Sequence, residues 1–151
     1  MAINVATFVR DVLFYIKNDL LANITDPIAA KRDDQSKFIM TSYPSRKTQY
    51  PLLTIKLINK TAARAGMQTT AMDVIITLEI RIWGRNQKEK EELYTDVYNR
   101  LKDIQFTDST GSVAVGLNDF TERSAVELDE EGDNMPKSRI MQVEYKFFNV
   151  S

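Results

Sequence analysis

Cysteine and histidine are both missing from this 151-residue chain. Without cysteine there is no disulfide, no thiol nucleophile and no zinc site of the usual Cys/His type. Without histidine there is no Ser-His-Asp triad. Long apolar runs are missing too, and none approaches the ~18 residues needed to span a bilayer. Neither sign of charge dominates: 20 Lys and Arg face 21 Asp and Glu, for a net charge of −1. That balance exerts no general pull on nucleic acid or anionic lipid. No Walker A or G-x-G-x-x-G run occurs, and Gly111-Ser112-Val113 lacks the G-x-S-x-G elbow. The N-terminal stretch is not expected to be a signal peptide, because Arg10 and Asp11 interrupt its apolar run and no basic region precedes it.

What is present describes an ordinary globular chain, 43% hydrophobic and 27% charged. Its length fits one domain, 1–151, able to bury roughly 70% of its unfolded surface without staples. Val5, Phe8, Val9, Val12, Leu13, Ile16, Leu20, Leu21 and Ile24 recur at spacings of three and four, which predicts an amphipathic helix over 5–24. Asp26-Pro27 stops it. The polar run Lys31 to Gln35 reads as a loop, and Ser36–Tyr43 as a short strand ended by Pro44. Leu53, Ile55 and Leu57 alternate with Thr54, Lys56 and Ile58, a strand over Leu52–Thr61. Ala62–Thr70 reads as a mobile linker rich in small residues.

The strongest period-two pattern is Ala71–Trp83. Met72, Val74, Ile76, Leu78, Ile80 and Ile82 take one face; Asp73, Thr77, Glu79, Arg81 and Trp83 take the other. A strand this long can extend past the core as a hairpin arm or a sheet edge. Trp83 fits either a lid over the core or an interface anchor. Gly84-Arg85 turns the chain, and Asn86 with Glu89 resembles a capping box. Leu93, Tyr94, Val97, Leu101 and Ile104 form the stripe of a second helix, Gln87 to Lys102. Shorter strands follow at Ser112–Leu117 and Glu122–Leu128. An acidic turn spans Asp129–Asn134, and a last strand Arg139–Val150. The expected fold is α+β: a mainly antiparallel sheet packed against two amphipathic helices, in the order α-βββ-α-βββ.

Three constellations invite chemistry, and each has a plainer reading. The acidic turn lacks EF-hand spacing and reads as a solvated hairpin turn. Glu89, Glu91 and Glu92 suggest paired carboxylates, but a helix N-terminus already favours acidic residues. The basic clusters Lys31-Arg32, Arg46-Lys47 and Arg85-Lys88-Lys90 come with Tyr43 and Tyr50 but without an RNP, KH or zinc-finger pattern. No catalytic, metal or cofactor site is expected. A carboxylate- or lysine-based enzyme stays open as an alternative.

Five features together resemble the small tail-terminator and tail-completion proteins of long-tailed bacteriophages. They are the first helix ending at Asp26-Pro27, the strand start Tyr50-Pro51-Leu52-Leu53-Thr54-Ile55, and the long Met72–Trp83 strand. The helix Gln87–Lys102 after Gly84-Arg85-Asn86 and the aromatic strand Tyr145-Lys146-Phe147-Phe148 complete the set. The resemblance implies a structural virion protein, not an enzyme. It would form a ring, usually of six copies, that caps the tail tube, ends tube polymerisation and joins tail to head. It implies a virion location after assembly in the host cytoplasm. Its partners would be further copies of itself, the tail tube protein, a head-side connector and the sheath protein, with DNA only passing through the lumen and no membrane. Another neck or sheath-end connector is the alternative within a virion; an oligomeric binding domain is the alternative outside one. A head-to-tail ring needs two complementary surfaces on each copy. The expected contacts are Arg64, Met67 and Gln68 in the linker, Trp83, and Asp129, Glu130, Glu131 and Asp133 in the acidic turn.

Overall fold

Helix α1 runs Phe8–Asn23 in the structure, a computed structural model that describes residues 7–42, 49–64, 66–67, 71–104, 120–128 and 137–150. Phe8, Val12, Ile16 and Leu20, each four apart, are buried, and Ile24 continues the row just past the helix. The sequence predicted a wider apolar stripe. Val9 and Leu21, which flank this row, remain 38% and 37% exposed, whereas Leu13 and Tyr15 pack partly against the core. Asp11 accepts the Thr7 hydroxyl at 2.5 Å in the first turn. At the far end the backbone turns extended at Ile24, ahead of Asp26-Pro27.

Five strands form one sheet: β1 Ile39–Met40, β2 Leu52–Arg64, β3 Met72–Gly84, β4 Thr121–Leu128 and β5 Lys137–Val150. Their spatial order is β1-β2-β3-β5-β4. Pairings β2–β3, β3–β5 and β4–β5 are antiparallel, but β1 lies parallel to β2, so the sheet is mixed. The Ser36–Tyr43 strand shrinks to two residues. Asp34 accepts the Ser36 N–H and hydroxyl, which bends Gln35–Lys37 into a 3-10 turn. The expected strand at Ser112–Leu117 lies outside the described residues, so the second half of the predicted order is seen as β4 and β5.

Helix α2, Gln87–Asp103, joins α1 on one face of the sheet. Alternation decides which side chains they cover: Val74, Ile76, Leu78, Ile80 and Ile82 of β3, Leu53 and Ile55 of β2, and Met141, Val143, Tyr145 and Phe147 of β5 share one core. Edge-to-face contact of Phe8 with Phe147 ties α1 to that core, ring centroids 5.1 Å apart. A second row of rings, Tyr94, Tyr98, Phe120 and Tyr145, ties in α2. Burial pushes the Tyr145 hydroxyl well above its ordinary pKa; it donates to the Leu101 carbonyl at 2.7 Å, satisfying a carbonyl in the last turn of α2. Asp19 and Arg100 bridge the helices through two bonds of 2.6 and 2.7 Å.

The start of α2 follows the expected box in altered form. Asn86 accepts the Glu89 N–H at 2.9 Å, and the Glu89 carboxylate reaches back to the Arg85 N–H at 3.0 Å. Gly84 is required by this close approach: a Cβ there would sit 2.7 Å from the Lys90 backbone nitrogen. Gly84→Ala is therefore expected to destabilise by about 1–3 kcal/mol through overpacking, measured by urea unfolding. An unchanged midpoint would mean that the helix start shifts without resistance.

Candidate functional site

The residues expected at contacts do not form one cluster. Arg64 is not in a loop; it is the last residue of β2 and pairs with Met72. Strand pairing carries the hairpin through Ala62 and Ala63, because the partner strand β3 satisfies their backbone whatever their side chains are. Met67 lies just beyond, 97% exposed. Trp83 sits at the other end of β3, about 35 Å away along an extended strand. It is 6% exposed, but it stands outside the core cluster and lines a groove on the other face of the sheet. Gln68, Asp129, Glu130, Glu131 and Asp133 lie outside the described residues.

Two features set off the outer half of β2 and the turn beyond it, called the arm below, although β3 beside it stays paired with β5 as far as Met72–Val150. From Ile58 to Arg64 every residue of β2 is exposed, although the ladder to β3 continues. A bulge between Leu57 and Asn59 leaves Ile58 unpaired and resets the alternation. Past it, Lys60 turns to the helix side, its ammonium 5.5 Å from the Phe8 ring centroid. Beyond Thr54, β2 also has no strand on its outer side among the described residues, since β1 pairs only with Leu53 and Thr54. Lys56, Lys60 and Arg64 are spread along this edge, a common guard against uncontrolled edge pairing.

The face of the sheet away from the helices holds a groove of about 380 Å³ lined by Thr41, Ser42, Thr54, Lys56, Glu79, Arg81 and Trp83. Cross-strand register produces it: Thr54 stands opposite Arg81, and Lys56 opposite Glu79. The Arg81 guanidinium lies over the Trp83 ring, 4.8 Å from its centroid.

A buried arginine that the loop reading of Lys31–Gln35 missed organises the region below. Arg32 Nε meets Asp26 at 2.5 Å, and its Nη atoms donate to Asp26 and to the carbonyls of Gln49 and Pro51, which flank the cis Tyr50–Pro51 bond. The guanidinium also lies 5.2 Å from the Phe38 ring centroid. No periodic spacing announces this pair; six residues and a proline separate its members. Burial raises the Asp26 carboxyl, but the Arg32 hydrogen bonds, the Ile28 N–H and the Arg32 charge outweigh it and hold the carboxyl below its ordinary value.

The suspected paired carboxylates are each engaged with a cation. Glu89 binds Arg85, which holds its carboxyl low. Glu91 meets Arg139 at 2.7 Å and Lys90 at 3.4 Å, with the Arg139 bond the main cause of its lowered value. Carboxyls held ionised in this way are poor proton donors near neutral pH. Tyr94, half-buried and bonded to the Glu122 carboxylate at 2.9 Å, is pushed up to about 12 by partial burial and that carboxylate. Among the described residues no group of three or more acidic side chains is placed to hold a metal ion, and no helix is long and apolar enough to cross a membrane.

These lowered carboxyls set an acid limit. A group with a depressed folded value contributes stability above its unfolded value and loses it as pH falls through the folded one. Melting temperature is expected to stay level between about pH 5 and 7 and to fall below about pH 4.5, as Asp26, Glu89 and Glu91 take up protons. Thermal melts across that range check it; a flat profile down to about pH 3 would show that these pairs add no stability. No model of a known protein family matches the chain, and no curated protein matches it.

Proposed function

We propose that the chain is a structural virion protein of the tail-terminator type, whose copies close into a ring that caps a tail tube, ends its growth and joins tail to head. The observation that supports this reading is the arm of β2. The outer half of this strand is exposed throughout, with a solvent-facing methionine just past its tip, and apart from Lys60 over the Phe8 ring its own chain leaves its side chains uncovered. Such a strand is costly to order unless another chain covers it. Ring closure from identical copies needs a projecting surface and a different receiving one. The arm supplies the first.

Partners in this reading are further copies of the chain, the tube protein, a head-side connector and the sheath protein. DNA passes through the lumen, and the protein works in the virion after assembly in the host cytoplasm. Light scattering over a concentration series, with negative-stain images of the same fractions, tests it. Rings, with six copies expected, support the reading. A monomer that closes into rings only on added tail tubes supports it as well. A stable dimer with no response to tubes overturns it. One observation favours a second reading, a binding domain outside a virion: the groove on the open face of the sheet, lined by charged and hydroxyl side chains.

A further inference from the structure

We infer that this groove is a carboxylate-binding site, with Arg81 as its principal donor and Lys56 as its second. The inference does not depend on the ring. It begins from an unmet donor: Arg81 Nε is shut off from solvent yet has no hydrogen-bond acceptor. Buried N–H groups are nearly always paired, because leaving one unmet costs free energy. The guanidinium lies over the Trp83 ring, 4.8 Å from its centroid, and a small turn of the side chain would bring the buried Nε–H to a ligand in the groove. A planar fork of N–H groups matches the two oxygens of a carboxylate.

The rest of the lining fits the same ligand. Lys56 adds a second cation, and the hydroxyls of Thr41, Ser42 and Thr54 add short donors along one wall. Lys56 and Glu79 stand directly across the ladder from each other, yet neither is in an ion pair among the described residues. Two cations and one carboxylate leave the groove with a single net positive charge. That suits a monoanion. A phosphate dianion would bring its second charge against Glu79, and like charges at that range repel.

The carboxylate can come from solution or from an acidic side chain of another protein, and one experiment separates the two. Trp83 is the chain's only tryptophan, so emission excited at the red edge, where tyrosine does not absorb, reports on this site alone. The intact protein is titrated at neutral pH with sodium acetate, with the blocked peptide acetyl-Gly-Glu-Gly-amide, with inorganic phosphate, and with sodium chloride at matched ionic strength. Acetate and peptide are expected to change the emission to saturation, and chloride is not. Arg81→Lys keeps the charge but loses the fork, and should weaken binding about tenfold or more. Lys56→Gln, on the neighbouring strand, should weaken it less and guards against misfolding of the first variant; far-UV circular dichroism checks both. Equal affinity for acetate and peptide assigns the site to a small free carboxylate, and clearly tighter peptide binding assigns it to a protein side chain. No saturable response to either, phosphate binding as tightly as acetate, or a response unchanged in both variants overturns the inference.

Discussion

Replacing Arg32 with leucine is expected to cost the fold about 3–5 kcal/mol, the range found when one member of a buried ion pair is removed. The side chains of Arg32 and Asp26 are only 1% and 6% exposed. The substitution strips Asp26 of its guanidinium, orphans the carbonyls of Gln49 and Pro51, and uncovers the Phe38 ring. What remains is a carboxylate with little access to water, compensated by the Ile28 N–H and the more distant Arg85 charge. The unpaired charge, more than the lost bonds, sets the size of the effect. Adding Asp26→Leu to Arg32→Leu should therefore recover part of the loss, since removing both partners is far less costly than removing one. Urea unfolding of the three variants measures both steps; the single variant should melt roughly 6–20 °C lower. A loss below about 1 kcal/mol would place Arg32 with ordinary surface ion pairs.

The second large effect is on assembly, with stability untouched. Arg64→Glu combined with Met67→Asp places two negative charges at the tip of the arm. Both positions are exposed, and surface substitutions of this kind usually stay within about 0.5 kcal/mol. If the arm seats against another copy or the tube, buried methionine contact is exchanged for desolvated charge. Rings, or tube-dependent assembly, should then be lost while the melting temperature holds. Scattering and thermal melts of one preparation read both quantities. Rings that form normally in this variant would remove the arm from the interface. A fall in melting temperature beyond about 3 °C would show that the tip supports the monomer after all.

Much of the fold could be read from local pattern, for a physical reason that also marks where reading stops. The even positions of β3 carry six apolar residues in a row, and the register of a sheet follows from such a pattern because one slip would expose them all. Helix α2 was legible from Asn86, Glu89 and its stripe. Parallel pairing of β1 was not, since two residues carry no periodicity and their direction is set by the chain path through Arg32. Lys90 looked like one cation among several, yet its stem is buried beside Gly84 and its ammonium is held by Gln87 and Glu91. The Arg81 groove stayed hidden for a different reason. Arg81 and Trp83 were read correctly onto one face, but which β2 residues stand opposite depends on register, and register is a long-range quantity. The arm was half legible: its length was expected, its extension through Arg64 was not.

The bulge at Ile58 acts as a phase shifter within a single strand. On the inner side of it, odd-numbered residues of β2 face the helices; on the outer side, even-numbered ones do. Lys60, Ala62 and Arg64 therefore share a face with Leu53 and Ile55, while Thr61 and Ala63 share one with Thr54 and Lys56. Absorbing that extra residue into regular pairing would slip the outer half of the ladder by one position and turn it over like a page, presenting cations where small neutral side chains now stand. The chemistry that the arm shows to a neighbour is thus set by one unpaired residue near the middle of the strand.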